Sequence, residues 1–263
     1  MAGSGSLLLA GGMMQYRISN PSFPNSLIKL TRQEQTIVKN KAFGLFMYPN
    51  TFSKDSHRLE RIEEKNFWSV EVNKDLRLIA HKIHDNILLC YVDHHDDAYI
   101  WAKRRKIETH PKTGAAQLVE IRELVKDVAT FKYITSGIPA ISNPPLFANV
   151  FIETLLSYGV PPEWINDVHN ATEDTIESLA EHLPGEAANI LLDLATGKPP
   201  QVPQIYMGNP FEHPDAQRRF RLINNKEEFK NELKGPNWRQ PFEWLVGKAR
   251  GILEAIKGVS RRA

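Results

Sequence analysis

Two adjacent histidines, His94 and His95, stand at the end of an apolar run, bracketed by Asp93, Asp96 and Asp97 and followed by Tyr99. Imidazole titrates near neutral pH, and a phenol or a second imidazole can return a proton, so the group is a candidate acid–base site. With Arg77 as a cation, the set Arg77, His94, His95 and Tyr99 has the parts that RNA cleavage requires. These are a base for the 2′-hydroxyl, an acid for the 5′-oxygen and positive charge for the phosphoryl oxygens. The same atoms suit zinc, manganese or iron. Consecutive strand residues point to opposite faces, however, so His94 and His95 diverge and no metal is expected. A third reading is local: Asp96 or Asp97 caps the following helix and fixes where Tyr99 points. Taken singly, Arg77 fits a solvated strand position and Tyr99 a core aromatic on an amphipathic helix.

The elements that would position these residues are readable. Leu27, Leu30, Ile37, Val38, Ala42 and Leu45 recur at helical spacing, with Asn25 or Ser26 as cap and Pro49 as stop, which predicts one long helix or a helical hairpin. "FWSVEVN" alternates as a half-buried strand. "LRLIAHKIH" and "ILLCYVDH" follow it, joined by a turn at "DN". The three strands make an antiparallel meander with helices on one face, an α+β module ending near residue 106. Val70, Val72, Leu78, Ala80, Leu89 and Tyr91 are the residues expected to include the covered face. Pro and Gly then become frequent in "TSGIPAISNPPLF", a linker, before short helices with stops at Pro184, Gly185 and Gly197.

Composition is that of an ordinary globular chain: 263 residues, 41% hydrophobic, 24% charged, net charge +2. Any nucleic-acid role must therefore come from local patches such as "WAKRRKIETH", with Lys103, Arg104 and Arg105, and "RRFRL". Solvated helix faces and strand edges account for such short charge runs equally well. The single cysteine, Cys90, lies in "ILLCYV" and reads as a buried small hydrophobe, which suits a reducing, cytoplasmic setting. The start, "MAGSGSLLLAGGMM", lacks a positive n-region and is too short to span a bilayer.

"VNKDLRLIA" followed by "LLCYVDHHDDAYIWAKRR" resembles the RelE/ParE toxin superfamily. Together with "HPKTGAAQLVE", "LLSYGVPPEWINDV", "LAEHLPGEAANILLDLATG" and "NPFEHPDAQRRFRLINNKEEFKNEL", it is similar to the N-terminal region of bacterial UvrD-like (superfamily 1) DNA helicases carrying such a toxin-like module. The resemblance covers roughly residues 20 to 233. It implies a cytoplasmic protein directed at nucleic acid, with Arg58, Arg61, Lys65 and Lys74 joining Arg77 as candidate phosphate contacts. A ribosome or an antitoxin protein is a further candidate partner. The phosphate loop of the helicase motor has no counterpart: "ATGKPP" lacks the first glycine and places Pro199 where the magnesium-binding hydroxyl belongs. No ATPase activity and no cofactor are therefore expected, and a shortened helicase gene would account for the ending after "EEFKNEL".

The expected organisation is a disordered leader over 1–19, a RelE/ParE-like module over 20–122 and a linker over 123–145. A small helical domain over 146–200 and a strand–helix segment with a basic tail over 201–263 complete it. The function expected first is nucleic-acid binding or processing as the accessory region of a helicase-type protein. A RelE-like endoribonuclease toxin and a non-catalytic protein-interaction module are the alternatives.

Overall fold

The structure, a computed structural model, describes residues 14–19, 22–124, 144–198 and 205–234. The chain enters its sheet within the stretch expected to be a leader: Gln15–Ser19 form β1. Tyr16 and Ile18 are buried on one face and Arg17 on the other, so this short strand lies in the interior. α1 (Ser22–Lys29) and α2 (Arg32–Met47) follow as two helices. The break between them is a capping box in which Thr31 and Glu34 satisfy each other's backbone N–H groups. Asn25 and Ser26, expected as caps, instead lie inside α1. α3 (Phe52–Asp55) leads into β2 (Ser56–Arg58).

β3 (Phe67–Glu71), β4 (Leu76–Ile83) and β5 (Asn86–His94) form the predicted antiparallel meander. The β4–β5 turn is at His84 and Asp85, one position earlier than expected, with His84 at φ 50°. The complete sheet has six strands in the order β2-β3-β4-β5-β1-β8, where β8 is Phe220–Ile223 and β1 runs parallel to β5. Both faces are covered, not one. Val70, Leu78, Ala80 and Leu89 pack beneath α1 and α2, with Val72 at the margin of that cluster. Phe67, Ile79, Leu88 and Cys90 pack on the other side beneath α4 (His95–Lys103) and a hairpin of β6 (Arg105–Thr109) and β7 (Ala116–Glu120). Double coverage is why "ILLCYV" is apolar at every position.

Tyr91 departs from the expected face because of a β-bulge. Ile79 pairs with Tyr91 but Ala80 pairs with Leu89, leaving Cys90 as an extra residue on β5. Cys90 and Tyr91 then both join the α4 side, while Leu89 and Val92 both join the other.

The second region contains α5 (Ile152–Ser157), α6 (Ile165–His169), α7 (Ile176–Ala180) and α8 (Gly185–Ala195), with its own core around Trp164, Leu155 and Leu191. It is tied to β7: Trp164 Nε1 donates to the Glu120 carbonyl at 2.7 Å, and Arg122 Nε donates to Asp167 at 2.7 Å. α9 (Pro214–Arg219), β8 and α10 (Lys226–Lys234) then return to the first module. Phe229 of α10 stacks on Phe46 of α2 at 4.9 Å. The expected linker between 125 and 143, the leader before 14 and the tail beyond 234 lie outside the described residues. Among the described residues no helix is long and apolar enough to cross a membrane.

Candidate acid–base site

β5 ends at His94, whose extended backbone is the N-cap of α4; its side chain makes no capping bond. The expected cap role of Asp96 or Asp97 is thus corrected: both lie in the first turn, where their charge complements the helix dipole. The strand-to-helix change between the two histidines separates them. His94 Nδ1 lies 2.6 Å from Asp75 Oδ2, and its Nε2 is 3.9 Å from Glu34 of α2. The hydrogen bond to Asp75 raises its pKa above the ordinary imidazole value, with burial opposing and the charges of Asp75, Glu34 and Asp93 adding to the rise.

His95 turns to the α4 side. Its ring stacks on Tyr99, one helical turn on, with centroids 4.6 Å apart and planes at 26°. Its Nδ1 is 2.8 Å from Asp96 Oδ1. With an ionised carboxylate accepting, Nδ1 carries the proton and Nε2 keeps its lone pair, as a general base requires. The Tyr99 hydroxyl lies 2.6 Å from Nε2 of His57 on the edge strand β2. Strand alternation places His57 on this face, because it pairs with Ser69 while Arg58 pairs with Trp68. Two imidazoles from separate elements thus meet one phenol. His57 has no sequence pattern to announce it, since β2 is only three residues long.

The basic residues divide. Lys103 is exposed and continues the stripe of His95 and Tyr99 along α4. Arg77 faces the α4 side between Glu71 and Asp93 in the strand register, and its Nη1 donates to the carbonyls of Asn73 (2.6 Å) and Leu76 (3.0 Å). It is thereby bent toward the β3–β4 turn, where Lys74 is exposed. Arg58 donates through Nε to the Lys65 carbonyl from the opposite face of β2, Lys65 Nζ donates to the Ile62 carbonyl, and Arg61 is exposed in the same loop. Arg104 and Arg105 turn inward to Glu120, at 3.2 and 3.3 Å, and Arg105 lies over the Trp101 ring at 4.9 Å. Burial alone would raise the Glu120 carboxyl. His182, Arg105 and Arg104 outweigh it and hold the pKa below the ordinary range.

Among the described residues no group of three or more His, Cys, Asp or Glu side chains is placed to hold a metal ion. Cys90 is fully buried, and burial pushes its thiol far up, so it is not a nucleophile. No protein-family model, no curated protein and no solved structure matches the chain.

Proposed function

We propose that this chain is a nucleic-acid-processing module whose β5–α4 junction cleaves RNA by acid–base chemistry that needs no metal ion. The carrying observation is the convergence on Tyr99 of His57, hydrogen-bonded at 2.6 Å, and His95, stacked at 4.6 Å. In this reading His95 Nε2 takes the proton of the 2′-hydroxyl. That oxygen attacks phosphorus to give a 2′,3′-cyclic phosphate, and the His57–Tyr99 pair returns a proton to the departing 5′-oxygen. RNA is the substrate class because only its 2′-hydroxyl supplies the internal nucleophile. Lys103 is the cation on the same stripe.

Binding without cleavage is a second reading, favoured by one observation: Arg104 and Arg105 are drawn away to Glu120. Either reading accords with the RelE/ParE-like and helicase-accessory roles that the sequence resemblance implies, without ATP hydrolysis by this chain. The helical hairpin α1–α2 against β3–β5 supports that likeness, while the parallel strand β1 is an addition to it.

The test is cleavage of end-labelled single-stranded RNA in excess chelator. Wild type is expected to cut and His95→Ala to lose about 10²-fold or more in rate. Retained RNA binding with no cleavage favours the second reading, and no binding at low salt by the folded chain overturns both.

A further inference from the structure

A cavity of about 480 Å³ opens between the sheet module and the helical region, within the size range of small-molecule sites. One wall is aromatic. The bulge in β5 swings Tyr91 to this side, where it lies flat on Trp101, 4.6 Å apart with planes at 4°. The facing wall is apolar, from Leu183 and Pro184 and from Ala188 and Leu192 of α8, and Asn25 and Lys29 of α1 border the same space.

The charges in it are unequally satisfied. Glu120 is shared among Arg104, Arg105 and His182. Glu177 and the exposed Glu181 also line the cavity. Arg219 differs. Its side chain is only 14% exposed, its Nε donates to the Asp215 carbonyl at 3.3 Å and its Nη1 lies 2.7 Å from Glu186. Its Nη2 is buried with no acceptor among the described residues. A buried cationic donor left without an acceptor is costly, and the cost is removed by an anion that reaches it. Burial lowers the Arg219 pKa, with Glu186 and Asp215 opposing, so this guanidinium is incompletely compensated. The first turn of α8 adds to the same field. It starts at Gly185, which lines the cavity, and its N-cap Pro184 supplies no side-chain cap.

We propose that this cavity binds a small organic oxyanion, a carboxylate or a phosphate on an apolar body. The anionic group is held by Arg219 and the start of α8, and the body lies against Tyr91, Trp101 and Leu192. A planar fork of donors suits either oxyanion, and the apolar walls exclude a bare inorganic ion as the preferred occupant. This site is separate from the His57–Tyr99–His95 cluster and does not depend on that cluster's chemistry.

The intact chain is titrated calorimetrically with octanoate, phenyl phosphate, 1-octanol and inorganic phosphate. Octanoate or phenyl phosphate is expected to bind with Kd below about 1 mM, at least about tenfold tighter than 1-octanol and inorganic phosphate. The tighter of the two identifies the anionic group. Arg219→Gln is expected to remove that preference over 1-octanol. Asn25→Trp, at a half-exposed position on α1 that leaves the core untouched, is expected to weaken all binding by at least about tenfold. The second variant keeps the test valid where loss of Arg219 unfolds the chain. Absence of binding, equal binding of 1-octanol, or affinity unchanged in Asn25→Trp overturns the proposal. Octanoate or phenyl phosphate affinity is expected to be unchanged in His95→Ala, so failure of the cleavage reading leaves this one standing.

Discussion

The hydroxyl of Tyr99 lies 2.6 Å from Nε2 of His57, a residue 42 positions earlier in the chain. Tyr99→Phe deletes that hydrogen bond and keeps the ring stacked on His95. The expected outcome is at least a tenfold loss in RNA cleavage rate, about 1.4 kcal/mol in barrier, with RNA affinity unchanged. Single-turnover rates and filter binding measure the two quantities separately. Equal cleavage by Tyr99→Phe and wild type would remove the phenol from the mechanism.

Glu64 should dominate acid unfolding. It is buried, which by itself raises its pKa. Hydrogen bonding with His81 and from the backbone N–H groups of Ile107 and Asn66 outweighs that and holds it at about 2. A depressed folded-state pKa contributes stability above the unfolded value near 4.5, and that contribution is lost as pH falls through about 2. Denaturant midpoints measured from pH 6 to pH 2 should fall steeply for wild type and less for Glu64→Gln. The variant should start about 2 kcal/mol lower at neutral pH.

His94 should act in the opposite sense. Its raised pKa means that the pair with Asp75 contributes fully below the unfolded imidazole value and disappears as pH rises through the folded value. Both side chains are well exposed, so the contribution is small, about 0.5 kcal/mol. His94→Gln should therefore lower the thermal midpoint slightly at pH 5 and not at pH 9. RNA cleavage should be unaffected, because His94 lies on the α2 side, away from Tyr99.

Cys90 is the extra residue of the β5 bulge, opposite no residue of β4. Cys90→Ala should cost about 1 kcal/mol in a urea titration, the loss of one small buried group. Deleting residue 90 removes the bulge and leaves an unbroken ladder, with Leu89 opposite Ala80 and Tyr91 opposite Ile79, so Tyr91 keeps its face and its stack on Trp101. That variant should fold, at a cost of less than about 3 kcal/mol in the same titration. A deletion that prevents folding would contradict the register.

Alternation and helical spacing made α2, β3, β4 and β5 legible, and the end of β5 at His94 could be read from the residues alone. The bulge could not, because every residue around Cys90 is apolar and a slip in phase changes no letter. β2 was hidden by its length of three residues, and β1, which follows a leader-like start, is placed by partners far along the chain, β5 and β8. The hairpin β6–β7 was hidden by its charges, since Arg105 and Lys106 look solvent-facing until Glu120 and Glu163 are seen beside them. Of the candidate site, His95 and Tyr99 were legible as neighbours on a helix, while His57 reaches them only through the pairing of β2 with β3.

The position of β1 bears on how the protein is made. β1 hydrogen-bonds to β5 on one side and to β8 on the other, and Arg17 Nη1 donates to the Phe220 carbonyl 203 residues away. A chain emerging from the ribosome carries a strand with one unpaired edge until residue 223 is out. Throughout that interval the nascent sheet can recruit a stray strand from a neighbour. Polypeptides stopped short of β8 should therefore self-associate during synthesis more readily than the chain that carries it, through the edge of β1 that β8 otherwise covers.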